Sequence, residues 1–151
     1  MRNHVLLTAA AGLLLGVFAR AGGDGEAQDL KRMQGAWAVT INEAEGKKSS
    51  DEENKNANVK LVVKEDKYTI YFGDKQYTQG KIKLDPTKKP KAIDAIAADG
   101  PFEGKPMPGI YEINGDTMRV CFAVPGKDRP REFSTAKGSG HSLLTYKRLQ
   151  P

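Results

Sequence analysis

The chain has 151 residues, with 24 Lys and Arg, 19 Asp and Glu, two His and one Cys, a length that suits one domain rather than two. A single Cys excludes a disulfide framework within the chain, and the one His beyond position 4 excludes a multi-histidine metal site. The net charge of +5 and the 38% hydrophobic content average over two unlike segments: residues 1–21 hold 14 hydrophobic residues, two Arg and no acid, and without them the charge is +3 and the hydrophobic share about 34%.

Arg2, an apolar run at positions 5–18 and Ala19-Arg20-Ala21 follow the order of a secretory signal, with cleavage expected after Ala21. The run is shorter than the roughly 20 residues that span a bilayer as a helix, and nothing later is as apolar, so no transmembrane segment is expected after cleavage. The expected location is secreted or periplasmic. Nucleotide cofactors are scarce there, and no cofactor is expected. The absence of a Cys near the cleavage site argues against a lipid anchor.

Residues 22–28 (GGDGEAQ) are small and polar and read as a flexible lead-in. Asp29 to Gln34 carries an acid able to cap, apolar Leu30 and Met33 three apart, and Gly35 as a stop, which predicts a single helical turn. From Gly35 the apolar period changes from three to two. Trp37, Val39 and Ile41 alternate with Ala36, Ala38 and Thr40. Val59, Leu61 and Val63 form a second run, and Tyr68, Ile70 and Phe72 a third. Further strands are predicted at 77–84, 92–97, 107–113, 117–122 and 142–148. Glu65-Asp66, Gly73-Asp74 and Asn114-Gly115-Asp116 suit hairpin turns.

Eight strands with tight turns and no room for crossover helices predict an all-β fold. The expected architecture is an eight-stranded antiparallel up-and-down barrel over residues 35–149, preceded by a short helical turn and closed so that no edge is left exposed. A flattened two-sheet sandwich is the alternative. The three longest connections, 43–58, 98–106 and 123–141, fall at one end by the parity of a meander. The Lys-rich link 86–91 and the N-terminal turn fall at the other, so the chain reads as a cup with one elaborated rim and one plugged end.

Gly35-Ala36-Trp37, after a helical turn and ahead of a barrel ending in a basic residue, resembles the Gly-x-Trp signature of the lipocalin superfamily. Four further stretches extend the likeness: Leu84-Asp85-Pro86-Thr87-Lys88-Lys89-Pro90-Lys91, Gly109-Ile110-Tyr111-Glu112-Ile113-Asn114-Gly115-Asp116-Thr117, Cys121-Phe122-Ala123 and Arg129-Pro130-Arg131-Glu132-Phe133. With Met33-Gln34 before the signature, this wording is similar to the lipocalin-like domain family expanded in planctomycete bacteria, over nearly all of 30–148. The resemblance implies an exported barrel-like domain of uncharacterised role and brings no catalytic residue. It also implies barrel closure at Gly35, Trp37 and Arg148, with the guanidinium across the indole in a contact of roughly 0.5–2 kcal/mol.

Other constellations read as structural. Cys121 shares a strand face with Arg119 and is expected to be a partly covered, inert thiol, an intermolecular disulfide being the next reading. His141, with Ser139 and Ser142, lacks the strand-turn-helix elbow of a hydrolase and is expected to be a loop residue beside the mouth. Glu43, Glu45, Asp51, Glu52 and Glu53 do not match a calcium loop, whereas Ser50 and Glu53 fit a capping box. Lys88, Lys89 and Lys91 are placed by parity at the end opposite Lys127, Arg129 and Arg131, so no continuous basic groove and no nucleic-acid partner are expected. No catalytic or metal-binding residue is assigned, and the chain is not read as an enzyme.

The leading functional expectation is a domain that binds a small apolar or amphipathic ligand at the elaborated rim. Ile41, Phe72, Met107, Phe122 and Leu144 are expected to line the site, with Tyr77 and His141 as polar handles. The large inward candidates make a side-chain-filled barrel the competitor. In that case the domain is a structural or protein-interaction module whose long loops contact a partner of the cell envelope. A monomer is expected in either case.

Overall fold

The computed structural model describes residues 23–151; the expected export signal and its cleavage site lie outside the described residues. Chain order runs α1 (Gly23–Met33), β1 (Gly35–Ala44), β2 (Lys47–Lys48), α2 (Asp51–Ala57), β3 (Val59–Lys64), β4 (Lys67–Phe72), β5 (Lys75–Asp85), β6 (Ala92–Ala97), β7 (Pro106–Asn114), β8 (Thr117–Ala123) and β9 (His141–Arg148). Every neighbouring pair is antiparallel, and β1 pairs with both β3 and β9. Eight strands therefore close into a barrel, with β2 a two-residue appendage on β1. Continuous pairing around one sheet, closed by β1 and β9, replaces the flattened two-sheet sandwich, and the curled sheet turns the apolar face of each strand inward.

The N-terminal helix is longer than the sequence suggests. It starts at Gly23, so the stretch expected to be a flexible lead-in forms its first turns. Docking stabilises it against its glycines: the Glu26 carboxylate accepts from the Leu84 backbone N–H at 3.2 Å, and Gly25 lies against the Pro86 ring. Asp24 and Glu26 also complement the helix dipole in the first turn. Asp29 is not a cap. It is buried inside the helix, 3% exposed, and accepts hydrogen bonds from Lys91 Nζ at 2.7 Å and Tyr111 Oη at 2.8 Å. Burial by itself pushes this carboxyl up, but those bonds and the charges of Lys91 and Arg32 outweigh it and hold it below the ordinary carboxylate range.

The helix plugs one end, with Met33 in the main core and Leu30 packed against it. Trp37 is fully buried there and donates its indole N–H to the Met33 carbonyl at 2.8 Å. Arg148, paired in register with Trp37, stacks its guanidinium over the indole at 4.1 Å. Its two terminal nitrogens donate to the carbonyls of Gln34 and Arg32 at 2.7 and 2.6 Å. One cation thus satisfies carbonyls at the helix C-terminus and at the start of β1. Gly35 makes the corner between them at a φ of 103°, which an L side chain rarely adopts.

A bulge at Thr40 reshapes β1. Val39 pairs with Tyr146 but Ile41 pairs with Thr145, so Thr40 is the extra residue. Beyond the bulge β1 follows β9 and leaves β3, to which it is paired only over Gly35–Ala38. Helix α2 packs beside that opening, where Asn54 donates to the Thr40 carbonyl at 2.8 Å. The expected capping box holds the helix: the Ser50 hydroxyl accepts from Glu53 N–H, and the Glu53 carboxylate accepts from Ser50 N–H at 2.7 Å.

The long connection between β8 and β9 does not stand on the rim. It descends as a strap along the outer wall, where Phe133 covers a second apolar cluster of Ile110, Cys121 and Leu143. Arg129 anchors it by donating to the carbonyls of Ile93 and Gly109, both at 2.7 Å, and by pairing with Asp94 at 2.8 Å. This anchor ties β6 to β7 where Pro106 and Pro108 of β7 have no N–H to offer. At the far side, Gly46 N–H donates to the Thr135 carbonyl, and Gly138 N–H to the Glu45 carboxylate.

Candidate functional site

The barrel is not filled. A cavity of about 570 Å³ runs from Met33 at the plug toward the opposite end, a volume inside the roughly 300–1,000 Å³ of small-molecule sites. Its walls are apolar: Leu61, Val63, Ile70, Ile82, Ile93, Met118 and Val120 supply the body. The phenols of Tyr68 and Tyr146, the Thr78 hydroxyl and the Asp99 carboxylate are the polar groups along it, with Tyr77 at the lip. Burial, with the nearby Asp99 charge second, pushes the Tyr68 phenol up, and burial together with Tyr68 does the same to Tyr146. Both phenols are therefore neutral donors at physiological pH.

Two small side chains on β6 make the room. Ala95 and Ala97 face inward between Ile82, Gly80 and Met107 in register, and both line the cavity. The lip is aromatic and exposed. Phe72 and Tyr77 meet edge to face at 4.9 Å, with 45% and 68% of their surfaces open to solvent, and Phe102 is 42% exposed. The connection between β6 and β7 carries Phe102 together with Asp99, Gly100 and Pro101 into the lining.

Of the residues expected to line the site, Tyr77, Met107, Phe122 and Leu144 do so. Ile41 does not: the Thr40 bulge reverses the alternation, so Ile41 pairs with Thr145 on the outer face. Phe72 stands on the lip rather than in the lining, because it is the last residue of β4 and leans on Tyr77, itself the extra residue of a bulge in β5. His141 is not a mouth residue. It pairs with Ala123 on the outer face, two residues from Leu143, and its Nδ1 lies 3.4 Å from the Ser134 carbonyl of the strap. Of the three long connections, only the one between β6 and β7 contributes to the lining.

The sequence reading missed Asp99, Thr78, Phe102, Ala95 and Ala97. Loop parity alone places Asp99-Gly100-Pro101-Phe102 at the rim, and an apolar ring in a turn of polar and special residues is the signal that singles it out. Alternation likewise puts Ala95 and Ala97 inward, but attention to large residues hides the space that small ones leave.

Outside the barrel two expectations change. Cys121 is fully buried, not partly covered, and its thiol faces the Ser134 carbonyl at 3.7 Å. Burial pushes the thiol up, which opposes both thiolate chemistry and an intermolecular disulfide. Arg119 pairs with Glu112 at 2.6 Å and stacks on Phe133 at 4.5 Å instead of activating it. Lys88 and Lys89 are not separated from Arg129 and Arg131: the descending strap brings all four to one outer groove of about 750 Å³, shared with Asp85, Asp94 and Asp128. Among the described residues no three of His, Cys, Asp and Glu are grouped to hold a metal, and no helix is long and apolar enough to cross a membrane. No protein-family model matches the chain, and no curated protein is similar to it at a significant level.

Proposed function

We propose that the domain is an exported, lipocalin-like binding protein that holds one small apolar or amphipathic molecule inside the barrel. The observation that carries this reading is the cavity of about 570 Å³, apolar along its walls and open at a lip of exposed aromatics. Enclosed apolar surface removes a ligand's hydrocarbon from water, worth about 25 cal/mol per Å², and the few polar groups fix its orientation. The expected signal segment and the resemblance of the Gly35-Ala36-Trp37 region to lipocalins support the same reading.

The test is titration of the chain from Gly22 onward with N-phenyl-1-naphthylamine, a neutral apolar fluorophore. Saturable enhancement at one site is expected, and Ala95→Phe, which places a ring in the lumen, should abolish it with the circular-dichroism spectrum unchanged. Organic extraction of protein taken from its own cells should release a co-purified small molecule. Absence of saturable binding, or binding indifferent to Ala95→Phe, refutes the reading in favour of a protein-docking role for the exposed lip. Sequencing the mature N-terminus tests export; a start at Gly22 supports it and retention of Met1 refutes it.

A further inference from the structure

We infer that the barrel selects amphiphiles with a cationic or hydrogen-bond-donating head over those with an anionic head, and that Asp99 is the selecting residue. This rests on the carrier reading above and sharpens it to a ligand class.

Among the described residues that line the lumen, Asp99 is the only Asp, Glu, Lys, Arg or His. It stands at the mouth, half-buried, on the β6–β7 connection. The Thr78 hydroxyl donates to its Oδ1 at 2.5 Å, which fixes the carboxylate against the neighbouring strand β5 at the entrance. No Lys, Arg or His lines the cavity with it. The bases nearest in sequence, Lys91 and Lys105, lie outside the lining: Lys91 pairs with Asp29 of the plug at 2.7 Å, and Lys105 is exposed just before β7.

A ligand with its hydrocarbon in the lumen must leave its polar head at the mouth, since the far end is closed by Met33 and the buried Trp37. There an ammonium meets a fixed carboxylate across a partly desolvated gap, and a charge-assisted hydrogen bond forms. A carboxylate or phosphate head would meet like charge with no cation in the lining to offset it. The remaining polar side chains of the lining, Thr78, Tyr68, Tyr77 and Tyr146, are hydroxyls and supply no cation that would reverse this preference.

The experiment is displacement of N-phenyl-1-naphthylamine by decylammonium, decanol and decanoate below their micelle concentrations at neutral pH and low salt. Decylammonium should compete about tenfold better than decanol, and decanoate worse than decanol, which corresponds to one charge-assisted bond. In Asp99→Asn, which keeps an acceptor for Thr78, decylammonium should lose that advantage, decanoate should improve and decanol should be unchanged. Equal competition by the three amphiphiles in the unmodified protein overturns the inference and leaves the carrier reading standing. Unchanged selectivity in Asp99→Asn overturns the assignment to Asp99. Failure of the fluorophore and of all three competitors to bind overturns the carrier reading itself. Should Asp99→Asn not fold, Asp99→Ser replaces it, and retention of the decylammonium advantage there overturns the assignment to Asp99.

Discussion

Replacing Arg148 by Met should lower stability by about 3 kcal/mol while leaving the barrel topology intact. Met retains an apolar stem over the Trp37 ring but removes the cation and every donor. The guanidinium makes bonds of 2.7 and 2.6 Å to the Gln34 and Arg32 carbonyls, and such bonds from a charged donor are worth about 1.5–3 kcal/mol when fully buried. Arg148 keeps a quarter of its side chain exposed, so about 1 kcal/mol each is the screened value. The stack on Trp37 at 4.1 Å adds about 1 kcal/mol. The ion pair to Asp116 contributes little, because that carboxylate is 62% exposed. For a domain of this size each kcal/mol moves the melting temperature by roughly 4 °C, so a fall of about 12 °C is expected. The chain has a single Trp, so fluorescence melting reads this corner directly, and calorimetry gives the global transition. Arg148→Lys keeps a point charge without the fork and should recover part of the loss. A fall below about 3 °C for Met, or equal melting of the Met and Lys variants, would refute the assignment of the plug to Arg148.

Asp29→Asn should destabilise the protein at neutral pH and flatten its acid dependence. The carboxyl is held below its ordinary value of 3.8, so its contribution is full above that value and is lost as pH falls through the lower folded one. Melting temperatures of the two proteins should converge in acid; parallel curves would sink the argument. Cys121, fully buried under the strap, should resist Ellman's reagent in the native state and react on unfolding. Arg129→Ala removes the bonds that tie the strap to β6 and β7 and should speed that reaction well before the barrel melts; an unchanged rate would show that Arg129 does not hold the strap over Cys121.

How legible the fold was follows from what kind of signal each feature leaves. Trp37, Leu61, Tyr68, Ile82, Met118 and Tyr146 are inward as alternation requires, and all are buried in one cluster. The hairpin dipeptides and the Ser50–Glu53 box act through local backbone chemistry, so they read directly. The failures are two of register and two of tertiary docking. Thr40 and Tyr77 carry no residue type that marks a bulge: the first resets the alternation of β1 and so misplaces Ile41, and the second sets Tyr77 beside Phe72, which keeps its phase on β4 but ends that strand at the lip. The helix over Gly23–Met33 is poor in intrinsic propensity and forms because Asp29 and Met33 are buried at the barrel end, with Leu30 packed against the core. The strap's course depends on Arg129 reaching carbonyls 20 and 36 residues away, which no local pattern encodes.

The same distinction explains why the interior is hollow although its large residues suggest a filled barrel. Two glycines decide where the rings go. A Cβ at Gly80 would sit 2.1 Å from the Ile96 carbonyl oxygen and 2.8 Å from the Tyr68 ring. One at Gly109 would sit 2.6 Å from the Phe122 ring. Both glycines therefore let an aromatic ring approach the backbone of its neighbouring strand closely, the approach for which glycine is suited inside a strand. Rings held against the wall do not cross the lumen, and Ala95 and Ala97 on the adjoining strand offer nothing to fill it. The aromatic content that argues for a solid core is thereby the material of the cavity wall. The volume left open is set by four small residues on β5, β6 and β7 rather than by the number of large ones.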